Sequence, residues 1–392
     1  GINFDKSVTV EIYQQLSERI SEISAKYQGV LLSSNDSLSR FMFEYLKCKP
    51  NGNRKNKNGL YSVAADQLEL LRDQQPEVVE DILEWKSLSK LRSTYTTSYS
   101  SMVDENSVIH PNFDPFGAVT GRFSSGNPNL QNLPAGGMGK MVRKAFRARP
   151  GYKLVAMDYK QIEFIVMAVL ADETVILNDL KNGYDVHVRT ASIIFDIPTN
   201  LVSYLHRASA KTVNYAMIYG AGAGAFMSFV HGETEDDRWR ECHDMYNKFF
   251  AGYPKLKVYL DRMGDAVFRG YTETYFGRRR DLNPKWSKSL SPRAKAGLFR
   301  LAKNTPVQGT AADIIKIAMV NLDDSMYEDD YFMLLQIHDE LIFEVKYDEY
   351  FHHTIEFLRS KMEDSFQYMK VDIEVGDTWY DLQPYVKPVF LR

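Results

Sequence analysis

The chain has 392 residues, of which 44% are hydrophobic and 25% charged, enough apolar material for a sizeable core. A formal net charge of −3 argues mildly against a uniformly basic nucleic-acid binder, although the field at a cleft depends on where charges cluster. Two cysteines, Cys48 and Cys242, exclude a disulfide framework and a CxxC metal knuckle, and no apolar run approaches the ~18 residues of a membrane span.

The chain opens Gly1-Ile2-Asn3-Phe4-Asp5, with neither Met nor a signal-peptide pattern, which reads as a processed or trimmed product. Helical apolar spacing covers residues 8–46 through Ile12, Leu16, Ile20 and Ile23. Residues 51–59 are polar and basic without an apolar anchor, so they read as a solvated, mobile loop. The helical pattern returns over 62–99, with a break near Gln75-Pro76. Residues 112–134 are rich in Asn, Ser, Gly and Pro and read mostly as loop. A basic cluster follows: Lys140, Arg143, Lys144, Arg147 and Arg149. Residues 153–159 predict a buried strand ending on a carboxylate, and 162–270 are largely helical in pattern. Arg278-Arg279-Arg280 follows Gly277 in a turn-like context, and Cys242-His243 reads as a chance surface pair. The last third predicts a helix over 311–327, then strands over 332–337, 341–345 and 369–375.

Within that last third, His338-Asp339-Glu340 interrupts an apolar run. The flanking residues fit two short strands joined by a tight turn, with the carboxylates at its tip. Alone this is an ordinary polar hairpin. Asp158 also ends an apolar strand, however, and two such strand ends can meet at one sheet edge. Paired carboxylates of this kind can hold two Mg²⁺ ions about 3.5–4 Å apart, an arrangement suited to phosphoryl transfer. Mg²⁺ prefers hard oxygen ligands and keeps waters, so few carboxylates suffice.

A third pattern points the same way. Arg207, Lys211, Tyr215 and Tyr219 recur at every fourth position of a helical segment. At ~1.5 Å rise per residue they form one stripe, two cations followed by two aromatic rings. A nucleoside triphosphate has that polarity, although packed tyrosines beside a snorkelling Arg and Lys give the same pattern. Gly220-Ala221-Gly222-Ala223-Gly224-Ala225 matches a loose dinucleotide fingerprint, but a helical rather than a strand pattern precedes it, so the glycines read as a helix end.

These motifs carry a family resemblance. Residues 156–163 (Ala-Met-Asp-Tyr-Lys-Gln-Ile-Glu), 207–220 (from Arg207 to Tyr219-Gly220) and 336–340 (Gln-Ile-His-Asp-Glu) resemble motifs A, B and C of family-A DNA polymerases, the bacterial polymerase I type. Thr120-Gly121-Arg122-Phe123-Ser124-Ser125, Asn129-Leu130-Gln131-Asn132-Leu133-Pro134, Phe276-Gly277-Arg278-Arg279-Arg280 and the run from Pro306 to Asp313 resemble further signatures in the family's order. The resemblance covers nearly the whole chain, from about Val8 to Trp379.

It implies an α+β fold with right-hand architecture: thumb, palm with a small antiparallel sheet, and helical fingers. By position the thumb would be 1–105, including palm-edge residues at the N-terminus. The palm would be 106–172 and 310–392, and the fingers 173–309. The implied activity is template-directed addition of deoxynucleotides to a primer 3′-end with two Mg²⁺ ions. The partners would be primed DNA template and dNTPs, with no membrane. The unit would be a monomeric catalytic one, open to accessory replication proteins. The resemblance places the protein inside the cell with DNA, in cytoplasm, nucleoid or an organelle, in replication or repair. No proofreading exonuclease domain is expected in this chain.

The family's roles transfer residue by residue. Asp158 and Asp339, with the Tyr159 backbone carbonyl, would bind metal, and Glu340 would be an auxiliary carboxylate. Arg207 and His187 would hold the outer phosphates, and Lys211 would neutralise the leaving pyrophosphate. Glu163 would be the steric gate beside the sugar, hydrogen-bonded to Tyr219, with Tyr215 and Gln161 also at the nucleotide. Arg122, Gln308 and His338 would touch the primer-terminal pair. Asn129, Gln131 and Asn132, with Arg300, Lys90 and Arg92, would contact DNA. Departures stand at Lys160, where the family usually has Ser, at Phe164-Ile165, at Gly136 and at Ala216. Two alternatives share some of these features. A two-metal nuclease would need the carboxylates but not the cationic-aromatic stripe, and a non-catalytic DNA-binding protein would need neither carboxylate.

Overall fold

Asp5 accepts a hydrogen bond from the backbone N–H of Ser7 at 3.0 Å and so caps the first long helix. The computed structural model describes residues 1–52, 54–134, 136–230, 234–282, 290–323 and 330–388. They divide into two units: 1–112, 125–154 and 375–383 form the first, and 113–124, 155–374 and 384–392 the second. The fold is mixed helix and small antiparallel sheet, as expected. Among the described residues, no helix is long and apolar enough to cross a membrane.

In the first unit, strand β1 (Ile2–Phe4) precedes helix α1 (Lys6–Lys26). The predicted apolar stripe of α1, with Ile12, Leu16, Ile20 and Ile23, is its buried face. Helix α2 (Asn35–Arg40) follows and runs into a π-helical turn at Phe41–Tyr45. Helix α3 (Pro76–Leu91) starts on Pro76, whose missing N–H costs nothing in a first turn. Strands β2 (Val108–Ile109) and β3 (Phe146–Arg147) flank β1 in an antiparallel sheet of order β2-β1-β3.

Residues 51–59 depart from the expectation of an unanchored loop. Asn56 and Asn58 donate side-chain amides to the two carboxylate oxygens of Asp36 at 2.7 and 2.6 Å, and Arg54 pairs with Asp66 at 2.7 Å. Two carboxylates, Asp36 and Asp66, do the anchoring that apolar residues would otherwise do; Asn53, within this loop, lies outside the described residues.

In the second unit, β4 (Tyr152–Tyr159) leads into α4 (Ile162–Ala171). Helices α5 (Val186–Phe195), α6 (Tyr204–Ile218), α7 (Glu235–Gly252) and α8 (Pro254–Arg269) follow. A hairpin of β5 (Tyr271–Glu273) and β6 (Arg279–Asp281) precedes the 32-residue helix α9 (Pro292–Asp323). The unit closes with β7 (Tyr331–Ile337), β8 (Glu340–Lys346), α10 (Phe351–Glu363), β9 (Val371–Gly376) and β10 (Gln383–Pro384). The strand order is β10-β9-β4-β8-β7.

Two expectations change here. The helix expected over 311–327 begins at Pro292, and 324–327 lie outside the described residues. Pro306 reads as a stop because it cannot donate to the Ala302 carbonyl one turn earlier. The Thr272 hydroxyl on β5 donates to that carbonyl instead, at 3.4 Å, so the helix runs through. Cys242 is not on the surface: it is fully buried on the inner face of α7.

The first unit's core centres on Phe146, which has no exposed surface. Its ring meets Phe4 at 4.9 Å, Trp379 at 5.6 Å and Tyr99 at 6.4 Å, all edge-on. Phe146→Ala should destabilise folding by about 3–5 kcal/mol and Phe146→Leu by much less. Urea unfolding followed by tryptophan fluorescence checks both.

Candidate active site

β4 reaches the site with an apolar interior, Leu154 to Met157 all buried, and then places Asp158 on an open cavity. Gln161 adopts a left-handed backbone, φ 51°, at the start of α4, so the chain turns sharply from strand to helix. On the other side, β7 and β8 form the expected hairpin, with register pairing Ile337 to Glu340. His338 takes φ 53° to make the turn, and the Gln336 side-chain amide donates to its carbonyl. The Tyr159 N–H donates to the Asp339 carbonyl at 3.2 Å, locking the two strand ends together. The Tyr159 hydroxyl lies 2.8 Å from the Met362 carbonyl and 2.9 Å from Ser365 Oγ, which fixes this end of β4.

The cavity, about 730 Å³, is lined by Asp158, Asp339 and Gln161 and, from the helices, by His187, Arg207, Lys211 and Tyr215. Two carboxylates in one confined space disfavour each other's charge. Burial, then Asp339, Asp372 and Glu374, push Asp158 up to about 6, with Lys211 opposing. Burial also raises Asp339, opposed by Arg122 and His338. Among the described residues no three His, Cys, Asp or Glu side chains gather as a closed metal cage.

Beside the carboxylates stands a tight polar triangle. Glu163, 4% exposed, accepts from Arg122 Nη2 at 2.6 Å and from the Tyr219 hydroxyl at 2.7 Å. The expected Glu163–Tyr219 bond is present; Arg122 is bound to Glu163 and lies 3.7 Å from Asp339 Oδ1. Burial raises the Glu163 pKa, against the hydrogen bonds that hold its charge. Gln308 reaches Tyr219 from α9.

The Arg-rich run explains how Arg122 is presented. Arg278 donates to the carbonyls of Thr120 and Gly309 at 2.7 and 3.0 Å and pairs with Asp313 at 2.8 Å. Gly121 has φ 83°, and a Cβ there would come within 2.5 Å of the Arg278 guanidinium, so this turn requires glycine. Arg278 is thus a clamp on the loop that carries Arg122.

α6 supplies the opposite wall. Ser203 and His206 form a capping box at its start, and Gly220, φ 70°, follows its end. A helix therefore precedes the glycine run, as read from the sequence. Ala210, Val213, Asn214, Met217 and Ile218 face inward, leaving Arg207, Lys211 and Tyr215 on the cavity and Tyr219 at the helix end. Arg207 Nε pairs with Asp185 Oδ2 at 2.7 Å, and Asp185 Oδ1 caps α5 through the N–H of His187 and Val188.

The remaining expected residues fall as follows. Arg300 and His338 are exposed. Glu340 opens β8 and is not among the residues lining the cavity; Asp372 on β9, paired with Lys160 at 2.7 Å, does line it. Asn129, Gln131, Asn132, Lys90 and Arg92 belong to the first unit. There the Tyr99 and Tyr95 hydroxyls hold the Asn129 and Asn132 carbonyls at 2.7 and 2.9 Å, and Lys90 is exposed. Arg92 is folded onto α1, bonded to Ser17 Oγ at 3.2 Å and over the Tyr13 ring.

Asp185, Asn214 and Asp372 were not singled out from the sequence, whereas the run holding Arg278 was. Asp372 and Glu374 did leave a signal: carboxylates two apart in an otherwise apolar strand share one face.

The model of DNA polymerase family A matches residues 5–381. The thermostable DNA polymerase I of Thermus caldophilus is 37% identical over 355 residues, which is 88% of this chain and 41% of that protein. That of Thermus aquaticus is 33% identical over 390 residues, 97% of this chain and 46% of that protein. This chain therefore spans under half the length of these relatives. Among solved structures, the POL domain of Pol1 from M. smegmatis, in complex with DNA primer-template and dNTP, aligns with a TM-score of 0.85 and 28% identity. The alignment covers 97% of this chain and 68% of that one, which extends the right-hand polymerase fold to nearly all of this chain. With motifs, fold and relatives in agreement, the chain belongs to DNA polymerase family A.

Proposed function

We propose that this chain adds deoxynucleotides to the 3′-end of a primer paired to a DNA template. The observation that carries the reading is the cavity itself: two carboxylates on strand ends face a helix that presents Arg207, Lys211 and Tyr215. Primer-template DNA and dNTP are the ligands of the M. smegmatis polymerase domain, and the same ligands are proposed here.

The carboxylates fit a divalent-cation centre. Asp339 Oδ1 is buried without a hydrogen-bond partner, and burial raises both carboxylates, so a cation beside them would favour their charged forms. Two carboxylates and the Tyr159 carbonyl are hard oxygen donors with an open cavity beside them, which suits Mg²⁺. Two Mg²⁺ ions held there would supply charge stabilisation for the attacking and leaving oxygens.

The side chains do the rest. Arg207 and His187 hold the outer phosphates, and Lys211 balances charge on the leaving pyrophosphate. Gln161, whose Oε1 is buried without a partner, sits at the nucleotide edge. Glu163, immobilised by Arg122 and Tyr219, forms a rigid wall against a ribose 2′-hydroxyl. Arg122, Gln308 and His338 face the primer end, while Asn129, Gln131, Asn132, Arg300, Lys90 and Arg92 meet DNA, where backbone contacts position rather than specify. On this reading, 1–105, 106–172 with 310–392, and 173–309 serve as thumb, palm and fingers.

Asp339→Asn should abolish extension of a primed template in Mg²⁺ while leaving duplex affinity within about twofold. Gel-resolved extension and a binding titration measure the two, and persisting extension contradicts the metal assignment. The Tyr215 hydroxyl should fill the space of a missing 3′-hydroxyl. Tyr215→Phe should then discriminate against dideoxynucleotides more strongly than wild type, by at least about tenfold; equal incorporation ratios end the idea.

The raised Asp158 pKa carries a stability consequence. With the pKa pushed up to about 6 from the ordinary aspartate value of 3.8, the folded chain binds this proton more tightly than the unfolded one, so the group's contribution to stability falls as pH rises through that window. In EDTA at about pH 7.5, Asp158→Asn should raise Tm by a small amount, on the order of 1–2 °C, because solvent reaches the carboxylate. The difference should vanish below the ordinary aspartate value of 3.8. Mg²⁺ should then raise the Tm of wild type but not of the variant; equal shifts place the ion elsewhere.

A further inference from the structure

His187 lines the cavity yet is 1% exposed, and its Nε2 is buried without a hydrogen-bond partner. Such an orphaned nitrogen beside a substrate cavity calls for a ligand atom to complete it. The other ring nitrogen is committed: Asn214 Nδ2 lies 2.8 Å from Nδ1.

Asn214 is itself fully enclosed and oriented from behind. Its Oδ1 is 3.1 Å from Thr190 Oγ1. The same hydroxyl lies 2.9 Å from the Val186 carbonyl and 2.9 Å from the Tyr253 hydroxyl. Thr190 and Tyr253 have no exposed surface. If Tyr253 donates to Thr190, the Thr190 proton serves the two acceptors beside it, Val186 O and Asn214 Oδ1. Asn214 then turns its amide N–H₂ toward His187 Nδ1, which must be the unprotonated nitrogen. The ring's one proton is left on Nε2.

The surroundings oppose a second proton. Burial does so most; Asp185, shared with Arg207 and two backbone N–H groups, favours it, and the cations Arg207 and Lys211 on α6 oppose it. The Phe164 and Tyr215 rings stand at 6.1 and 6.4 Å and add no charge. Protonated Nδ1 would also point its hydrogen at the Asn214 amide hydrogens.

We propose that Asn214, held by Thr190 and Tyr253, is a positioning residue that fixes His187 as the neutral Nε2–H tautomer, an uncharged donor aimed at a phosphate oxygen of the nucleotide. This rests on the reading of the cavity as a triphosphate site. Charge recognition is left to Arg207 and Lys211, and His187 contributes direction. Binding then does not depend on the imidazole's titration across the range where histidines ordinarily change charge.

The direct test is a long-range ¹H–¹⁵N NMR spectrum of the histidine-labelled chain without nucleotide, with His187 assigned by loss of its signals in His187→Gln. The expected pattern is the neutral Nε2–H tautomer, unchanged from about pH 8 to about pH 6. A neutral Nδ1–H tautomer, or protonation within that range, overturns the proposal. In Asn214→Asp a carboxylate replaces the amide and draws a proton to Nδ1. The dNTP KM should then rise about tenfold with pH across that range, with kcat changing less, while wild type stays flat. A flat profile in a folded Asn214→Asp also counts against the lock. His187→Ala separates the two readings. If its dNTP KM equals that of wild type, the phosphate role fails whatever the tautomer. If its KM rises while wild type shows Nδ1–H, the site reading stands and the lock falls.

Discussion

The structure turns on one short backbone contact, the Tyr159 N–H on the Asp339 carbonyl. It joins the end of β4 to the β7–β8 turn and brings two carboxylates to one cavity that neither strand could build alone. The cost is electrostatic. Burial raises both Asp158 and Asp339, and the charge of Asp339 raises Asp158 further. A fold selected only for stability would place amides or apolar groups there. Such perturbed carboxylates at a cavity, with an Asp339 oxygen that has no hydrogen-bond partner, support the cation site proposed above.

Around that centre the side chains are prearranged by neighbours remote in sequence. Arg278 clamps the loop bearing Arg122, Arg122 and Tyr219 immobilise Glu163, and Asp185 holds Arg207 while capping the helix of His187. Arg122, Glu163 and Arg207 are each held by a partner that is itself held, the condition for a rigid site in a low-dielectric interior. Lys160, a departure from the family's usual Ser, is drawn to Asp372 rather than to Asp158.

The centre was legible in sequence because its signals are local. An apolar strand ending on a carboxylate, a hairpin with acids at its tip and a fourth-position stripe each declare themselves within a dozen residues or so, and all three appear as read. What stayed hidden depends on tertiary partners. Asn214 is one polar residue on the inner face of α6, and only Thr190, Tyr253 and His187 together give it a task. The continuous helix through Pro306 depends on the Thr272 hydroxyl, and the pinned loop at 54–58 depends on Asp36. Arg92 reads as a surface cation but lies along α1.

The central claim is that Asp158 and Asp339 form a single divalent-cation centre opposite the cationic face of α6. Counting free Mn²⁺ by electron paramagnetic resonance, in the presence of dNTP, tests it most directly. The account predicts that Asp158→Asn and Asp339→Asn, each alone, abolish the tight Mn²⁺ binding seen in wild type. Binding unaffected by either substitution would contradict it, as would two independent sites of which each variant loses only its own.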